Sequence, residues 1–361
     1  MTLRDRHVRP LGRHERPGRR SCPRSDERGS TAHTATRATV AAGTLLGGLA
    51  AGYMLFESQW LRCSEQPLPV PALPGPLEGL TILHLSDVHA GQPGFNIRTF
   101  EKAVNWAVES RPDLIVLTGD ILSSRSGWAR CVSLLRRLQA PLGVFAVPGN
   151  HEYGLSKNPL AHLPEPPPWE SCGIMELRDA CVMLDLTAIR GPGADPGAIS
   201  VALCGADYLS GGAPLVAERM PREADLSILL VHRPPRPEDP LAAMFDLTFS
   251  GHTHGGQIRI PTPWGLQSLH HDHLPHLEGV HPWGHGLLAV SAGIGTTFLP
   301  LRFLTRPQAV IHRLTAVAAE SVGPNRAPPR RSEADTEAAP SGIYEGVVMA
   351  RDGGGGADDD G

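Results

Sequence analysis

Short apolar runs that each stop on polar, metal-ligand residue types constrain the fold of this 361-residue chain more than any other feature. The runs TILHL, DLIVLTG, GVFAVPG, SILLV and DLTFS are followed within a few positions by Asp87, His89, Asp120, Asn150, His151, His232, His252 and His254. Sites in open α/β sheets form beyond the carboxyl ends of the strands. The sequence therefore predicts that these side chains meet at one edge of a sheet.

The spacing of the first three runs is typical of β-α-β units. Asp87 and Asp120 are 33 residues apart, and Asp120 and Asn150 are 30 apart, which fits one crossover helix each. Apolar residues recur at helical spacing from Phe100 and again from Val132. The second half is richer in strand-like runs, including ISVALCG, LLAVSAGIG and AVIHRL. We predict an α/β fold whose second half contributes a mixed sheet.

The donor types indicate a metal site with more than one ion. Each residue alone is most simply a strand-end cap or a surface group, but together they supply seven candidate ligands: Asp87, Asp120, Asn150, His89, His232, His252 and His254. Seven donors are too many for one small ion but suit two ions that share a carboxylate. Mixed nitrogen and oxygen ligands favour Mn, Fe or Zn over Ca or Mg.

The motifs SDVH, GD, GNHE, an isolated VH and GHTHGGQ, in that order, resemble those of the calcineurin-like metallophosphoesterase family. The resemblance runs from about Gly79 to Leu314. The segments FESQW and LPVPALP also resemble its membrane-associated bacterial branch. The resemblance implies a two-sheet β-sandwich flanked by helices, with a binuclear metal centre at one end.

The same resemblance implies a role for each motif residue. One metal ion takes Asp87, His89, Asp120 and His254, and the other takes Asp120, Asn150, His232 and His252. Asp120 is then the bridge, and His151 is the acid rather than a ligand. The implied reaction is hydrolysis of a phosphoester, with a phosphodiester as the expected substrate, by a hydroxide held between two divalent ions. Glu152 either orients a neighbouring histidine or is a plain surface carboxylate.

Two other functions remain open at this point. One is a membrane-anchored phosphoprotein phosphatase, and the other is a non-catalytic metal-binding protein of the same fold. A further histidine-rich run, LHHDHLPHLEGVHPWGH, is either an additional metal site, a rim that faces the substrate, or an exposed loop without a specific role.

The N-terminal region predicts a membrane anchor. Residues 1–37 carry ten arginines and four acidic residues and are expected to be a disordered cytoplasmic segment. Residues 38–56 carry no charge, and as a helix they span about 28 Å at about 1.5 Å per residue. The positive flank precedes this span, which places the catalytic domain outside the cytoplasm. A cleaved signal segment is the alternative.

The remaining boundaries follow from composition. We expect a linker over 57–78, a metallophosphoesterase domain over 79–315 and a disordered tail over 316–361. The net charge of −4 carries no nucleic-acid signature. The expected partner is a phosphoester substrate, and the predicted anchoring suggests one derived from lipid or the cell envelope.

The six cysteines contain no C-x-x-C pair. Cys131 and Cys204 are interpreted as buried, small apolar residues. Cys172 and Cys181 could form a disulfide on the basis of their proximity in sequence alone.

Overall fold

A computed structural model describes residues 27–317 except 157, 159–160, 162–166, 191–198, 211–212, 222 and 270–273. The expected cytoplasmic segment up to residue 26, and the expected tail from residue 318, lie outside the described residues. The helices and strands are α1 (Glu27–Glu57), β1 (Arg62–Pro71), β2 (Thr81–Leu85), α2 (Asn96–Ser110), β3 (Leu114–Leu117), α3 (Trp128–Leu135), β4 (Val144–Ala146), β5 (Met175–Glu176), β6 (Ala180–Met183), α4 (Thr187–Arg190), β7 (Val201–Gly205), α5 (Ala213–Arg219), β8 (Leu226–Leu230), β9 (Leu247–Ser250), β10 (Arg259–Thr262), β11 (Gly265–Ser268), β12 (Gly279–Trp283), β13 (Gly286–Val290) and β14 (Gln308–Val317).

Two six-stranded sheets carry the fold, and both are mixed. The first has the order β1-β14-β2-β3-β4-β5 and the second has the order β12-β13-β9-β8-β7-β6. Strands β2, β3 and β4 are mutually parallel, as are β7, β8 and β9. The predicted α/β class with two sheets and flanking helices is therefore confirmed. Within each sheet, the carboxyl ends of parallel neighbours lie side by side, which is where the polar motifs occur.

Apolar side chains fill the space between the sheets and also cover the outer face of the first sheet. Ile82 and Val116 of the first sheet share one buried cluster with Ile228 and Phe249 of the second. The opposite face of the first sheet packs against α2 and α3. Helix α2 buries Phe100, Ala103, Val104 and Ala107, the positions that share one helical face. This double burial explains why β3 is a continuous apolar run and why β2 is apolar apart from Thr81 and the buried His84.

Strand β1 lies within the segment that was expected to be a linker. It pairs in parallel with β14 along its whole length and forms the edge of the first sheet. Its prolines, Pro67, Pro69 and Pro71, alternate, so all three missing N–H groups lie on the same side of the strand. An edge strand tolerates proline where that side has no partner strand. Composition pointed to a linker because proline is common in both settings.

The disulfide joins Cys181 to Cys204 and leaves Cys172 as a buried free thiol. The suggested Cys172–Cys181 pair is therefore wrong, and Cys204 is more than a small apolar residue. Cys181 and Cys204 are direct partners across the antiparallel strands β6 and β7, with Cα atoms 4.0 Å apart. Cys172 instead belongs to the cluster between the first sheet and its helices. Strand pairing thus brings together two cysteines that are 23 residues apart in sequence.

Helix α1 contains the predicted uncharged span. Residues Thr39–Glu57 are long and apolar enough to cross a membrane, and only the last residue of that span, Glu57, is buried in the protein. The helix begins before the expected span, at Glu27.

Candidate metal centre

The predicted site residues converge at the carboxyl ends of β2, β3, β4, β8 and β9. Among the described residues, three groups of side chains have potential ligand atoms within 4.8 Å of one another: Asp87, His89 and His254; Asp120, His232 and His252; and His89, Asp120 and His151. The first group contains its expected ligand set except the shared Asp120. The second group contains its expected set except Asn150. The third group shows that His151 reaches the same space.

The Asp120 carboxylate faces both ligand groups. Its Oδ2 lies 3.3 Å from Nε2 of His232 and 3.7 Å from Nε2 of His89. The Nε2 atom of His151 is 3.9 Å from the same oxygen. The amide of Asn150 joins the second group, with Oδ1 3.3 Å from Nε2 of His232. A single carboxylate oxygen is thus positioned between the two sets of imidazoles.

The donor atoms point at one another in a way that suits cations between them. Nε2 of His89 and Nε2 of His254 are 2.9 Å apart, and the latter is 3.6 Å from Oδ1 of Asp87. In the second group, Nδ1 of His252 is 3.2 Å from Nε2 of His232. Imidazole nitrogens and carboxylate oxygens that converge at these separations are the donor types that divalent transition metals bind. The residues therefore fit divalent metal ions.

Hydrogen bonds to the remaining polar atoms orient several of these candidate ligands. The backbone N–H of His252 donates to both carboxylate oxygens of Asp87, at 3.0 and 2.9 Å. The N–H of His151 donates to Oδ1 of Asp120 at 2.8 Å, which leaves Oδ2 for the ligand groups. Nδ1 of His232 donates to the carbonyl of Thr118 at 2.7 Å, so Nε2 is the ring nitrogen that faces Asp120 and Asn150. Such outer contacts set the tautomer and direction of metal ligands.

Five of the seven expected ligands have left-handed backbone conformations. Their φ angles are 51° at Asp87, 49° at His89, 53° at Asp120, 70° at His252 and 51° at His254. Positive φ is uncommon outside glycine, and it persists only where the surrounding structure enforces it. The strain concentrates at the positions where the chain must turn a side chain into the centre.

Ser123 connects two residues of the centre and was not identified from the sequence. Its Oγ lies 2.9 Å from Nδ1 of His89 and 2.8 Å from Nδ1 of His151. The side chain is buried. A serine three residues after the GD motif carries no recognisable signal by itself. Only the folded arrangement shows that one hydroxyl contacts the Nδ1 atoms of both imidazoles.

Glu152 orients backbone rather than a histidine. Its buried carboxylate accepts hydrogen bonds from the N–H groups of Gly149 and Asp120 at 2.8 Å each. It also accepts from Ile121 at 2.8 Å and Leu122 at 3.2 Å. This carboxylate therefore joins the turn after β3 to the turn after β4. Neither expectation for Glu152, a partner of histidine or a surface carboxylate, matches these contacts.

Arg302 is a second structural residue that the sequence did not reveal. It is fully buried, and its guanidinium donates only to carbonyl oxygens, among them those of His254, Ala292 and Gly295. Burial lowers the pKa of Arg302 to about 10, so it stays charged at neutral pH. The arginine fixes the backbone of the turn that carries His254.

Burial and mutual charge set the protonation of the centre. Burial raises the pKa of Asp87 to about 6, and the nearby Asp120 carboxylate contributes to the rise. Burial lowers the pKa of His89, His151 and His254. Burial also acts to lower the pKa of His232, but the adjacent Asp120 outweighs it and raises that pKa to about 10. Most of these imidazoles are therefore neutral and available as donors, and a metal ion at His232 would have to displace a proton.

The described part of the histidine-rich run forms no metal group of its own. The rings of His276 and His281 stack with centroids 3.8 Å apart, and His285 lies 3.5 Å from Asp246. None of these three histidines belongs to a candidate metal group among the described residues. His270, His271 and His273 lie outside the described residues.

Comparisons with known proteins match the region that builds this site. A sequence model described as calcineurin-like phosphoesterase matches residues 80–256, which contain every member of the three groups. The chain is 30% identical over 286 residues to the uncharacterized metallophosphoesterase YkuE of Bacillus subtilis (strain 168), covering 76% of this chain and 93% of that protein. It is 31% identical over 205 residues to a transmembrane protein with metallophosphoesterase domain of Bos taurus, covering 53% of this chain and 44% of that protein. The crystal structure of a Thermus thermophilus protein aligns with 12% identity and a TM-score of 0.34, covering 59% of this chain and 89% of that one.

Proposed function

Because the chain belongs to the calcineurin-like metallophosphoesterase family, we propose that it hydrolyses a phosphoester, specifically a phosphodiester, with two divalent metal ions. The observation that carries the proposal is the position of Asp120. Its Oδ2 lies 3.3 Å from His232 and 3.7 Å from His89, which belong to different ligand groups. A carboxylate shared in this way is what a two-ion centre requires.

The proposed ligands divide between the two ions. Asp87, His89, Asp120 and His254 would hold one ion, and Asp120, Asn150, His232 and His252 would hold the other. The mixture of imidazole and oxygen donors favours Mn, Fe or Zn. When bound, such a pair would lower the pKa of a bound water and neutralise charge on the phosphoryl oxygens.

His151 is the proposed acid, and Ser123 determines where its proton lies. If His89 binds through Nε2, its Nδ1–H donates to Oγ of Ser123, at 2.9 Å. The hydroxyl hydrogen of Ser123 then points to Nδ1 of His151, at 2.8 Å. This leaves the proton of His151 on Nε2, the nitrogen that faces Asp120. A proton held there is available to the leaving oxygen of the substrate.

Helix α1 is the proposed membrane anchor. The arginine-rich segment 1–37 would remain in the cytoplasm, and the domain over 79–315 would lie outside it. The likeness to a transmembrane relative and the apolar span Thr39–Glu57 support this placement. A substrate at that position is a lipid-derived or cell-envelope phosphoester.

The test combines metal analysis with turnover on the full chain in detergent. With Mn²⁺ and a chromogenic phosphodiester, we expect turnover that Asp120→Asn abolishes together with much of the bound metal. His151→Ala should lower kcat by about 10²–10⁴-fold and keep two ions per chain. His281→Ala, which removes an imidazole outside the centre, serves as the matched control and should change neither.

Two outcomes contradict the proposal. If His151→Ala loses metal as Asp120→Asn does, His151 is a ligand and its role as the acid is wrong. If the wild-type protein binds two ions but hydrolyses neither chromogenic phosphodiesters nor monoesters, the centre is not that of a phosphoesterase.

A further inference from the structure

We propose that an apolar surface beside the end of α1 docks into the interfacial zone of the lipid bilayer. This membrane-docking surface consists of residues 259–269, which contain the β10–β11 ribbon, and of the segment 298–304. It places the metal centre at a fixed, short distance from the membrane. The inference rests on the proposed anchoring by α1 and extends the proposed function by restricting the substrate to phosphoesters at the membrane surface.

The last turn of α1 is joined rigidly to the segment 302–305. The Glu57 side chain is buried, and its carboxylate accepts from the N–H groups of Leu304 at 3.0 Å and Thr305 at 2.7 Å. The N–H of Arg302 donates to the carbonyl of Met54 at 3.2 Å. The segment therefore lies at the level of the final helical turn of the span, where a membrane-crossing helix leaves the hydrocarbon.

Side chains at this end of α1 are those that mark a membrane surface. Tyr53 and Phe56 are exposed near the end of the span, and Trp60 follows the helix with 45% of its surface exposed. The guanidinium of Arg306 lies 3.9 Å from the centre of the Trp60 ring. Aromatic rings and arginines that face the headgroups are enriched at this depth. The plane of the membrane surface thus passes close to the segment 302–305.

The exposed apolar side chains of the domain concentrate next to that plane. Among the described residues after Trp60, thirteen large apolar side chains are exposed, and seven of them belong to two adjacent segments: Ile260, Trp264, Leu266, Leu269, Phe298, Leu299 and Leu304. Trp264, at the tip of the ribbon, is 86% exposed. Apolar clusters of this kind mark interaction sites, whereas single exposed apolar residues are ordinary.

Hydrogen bonds hold the two segments together as one surface. Gln257, just before β10, donates through Nε2 to the carbonyls of Thr297 and Leu299 and accepts from Thr297. The backbone N–H of Phe303 donates to the carbonyl of Gln257, and the backbone N–H of Arg259 donates to the carbonyl of Phe303. Because Phe303 also contacts the Tyr53 ring, the ribbon, the segment 298–304 and α1 are continuous.

The ribbon itself is apolar on both faces. Ile260 pairs with Gln267, whereas Pro261 pairs with Leu266, and successive pairs point to opposite faces. Ile260 and Leu266, one on each face, are both exposed. A two-stranded ribbon that exposes apolar groups on both faces is poorly suited to water but suited to the headgroup and acyl boundary. The bilayer, rather than a folded partner, is the occupant indicated by continuity with α1.

The same ribbon begins at the metal centre. Gln257 follows the turn that carries His254, and Arg302 connects that turn to α1, since its Nη1 donates to the His254 carbonyl at 3.2 Å. One arginine therefore links a proposed metal ligand to the end of the membrane span. Docking of the surface sets the depth of the centre relative to the membrane.

The test measures contact between Trp264 and lipid in the full chain reconstituted into phosphatidylethanolamine–phosphatidylglycerol vesicles. Brominated acyl chains quench tryptophan fluorescence on contact. We expect Trp264→Phe to remove part of the quenching by lipids brominated near the headgroup, and less of the quenching by lipids brominated near the chain ends. Trp60→Phe should behave similarly, and Trp128→Phe, which lies outside the docking surface, should leave the quenching unchanged.

Three outcomes separate this inference from the proposed function. If Trp264→Phe leaves the quenching unchanged while Trp60→Phe reduces it, Trp264 lies in water and the docking surface is wrong. If Trp264 emits at a blue-shifted wavelength without quenching, protein covers it, which also overturns the proposal. If Trp264 is quenched but the protein hydrolyses no phosphoester, the docking surface stands and the proposed function fails.

Discussion

Gly119→Ala tests whether the close approach of strands β3 and β4 holds the metal centre. Gly119 precedes Asp120 and has φ +86°. A Cβ atom there would lie 2.6 Å from both the backbone nitrogen of Gly149 and Nδ1 of His232. Ordinary contacts begin at 3.4 Å, so these atoms must separate by up to about 0.8 Å. Neither neighbour is the end of a flexible side chain.

The expected effect has two parts. An alanine at positive φ costs about 1–2 kcal/mol of unfolding free energy. Forcing the backbone and a buried ring apart adds about 1–3 kcal/mol. Metal–ligand distances tolerate shifts of only about 0.2 Å. We therefore expect the Gly119→Ala protein to lose about 2–5 kcal/mol of stability, together with the metal ion proposed to bind at His232.

A glycine series separates strain from steric conflict. Gly173 has φ +72° with no atom within 4 Å of its added Cβ, so Gly173→Ala carries the backbone cost alone. Gly75→Ala carries neither cost. Chemical unfolding in detergent, elemental metal analysis and kcat should be measured for all three. If Gly119→Ala matches Gly173→Ala in stability and binds two ions, the reasoning about close approach is wrong.

Three further predictions concern residues around the centre and in the core. Ser123→Ala should lower kcat by about 10–100-fold with bound metal retained, because the His151 proton loses its fixed position; an unchanged pH–rate profile would count against this role. Glu152→Gln should lower the free energy of unfolding, measured by chemical denaturation, by about 2–4 kcal/mol. The reason is that the amide NH₂ would then face backbone N–H groups that now donate to the carboxylate; a loss below about 1 kcal/mol would contradict this role. Burial lowers the pKa of His312 from 6.5 to about 4, so the unfolded chain binds its proton first and stability falls as pH drops from 6.5 to 4. At about 1.4 kcal/mol per pKa unit, the free energy of unfolding falls by about 3 kcal/mol over this pH range. The His312→Leu protein should not show this fall; equal acid sensitivity of the variant and the wild type would refute the role given to His312.

The strands that end on the centre were predictable because their burial on both faces leaves a strong local signal. TILHL and DLIVLTG are continuous apolar runs, and β2 and β3 occupy the interior of the first sheet. The strand β1 was not predictable in the same way. Its prolines fit a linker as well as an edge strand, and only pairing with β14 distinguishes the two. The disulfide shows the same limit, since Cys181 and Cys204 meet through strand pairing and not through proximity in sequence.

The surroundings of the centre were less visible than the centre itself. Asp87, His89 and the GHTH histidines lie in motifs whose residue types reflect the chemistry directly. Ser123 and Arg302 act through hydrogen bonds to residues that are distant in sequence, so neither has a local pattern. Glu152 lay within a motif, but its role depends on four backbone donors in two turns.

The sequence by itself determined which side chains are candidate metal ligands, and in which order they follow the strands, because apolar periodicity and ligand chemistry are local properties. Only the tertiary structure decided how those side chains are shared, oriented and placed. The position of Asp120 between two ligand groups depends on two sheets meeting at one edge. The connection from Met54 through Arg302 to His254 depends on the end of α1 packing against a segment far later in the chain. Contacts of that kind are set by packing of the whole chain, which no local stretch of sequence encodes.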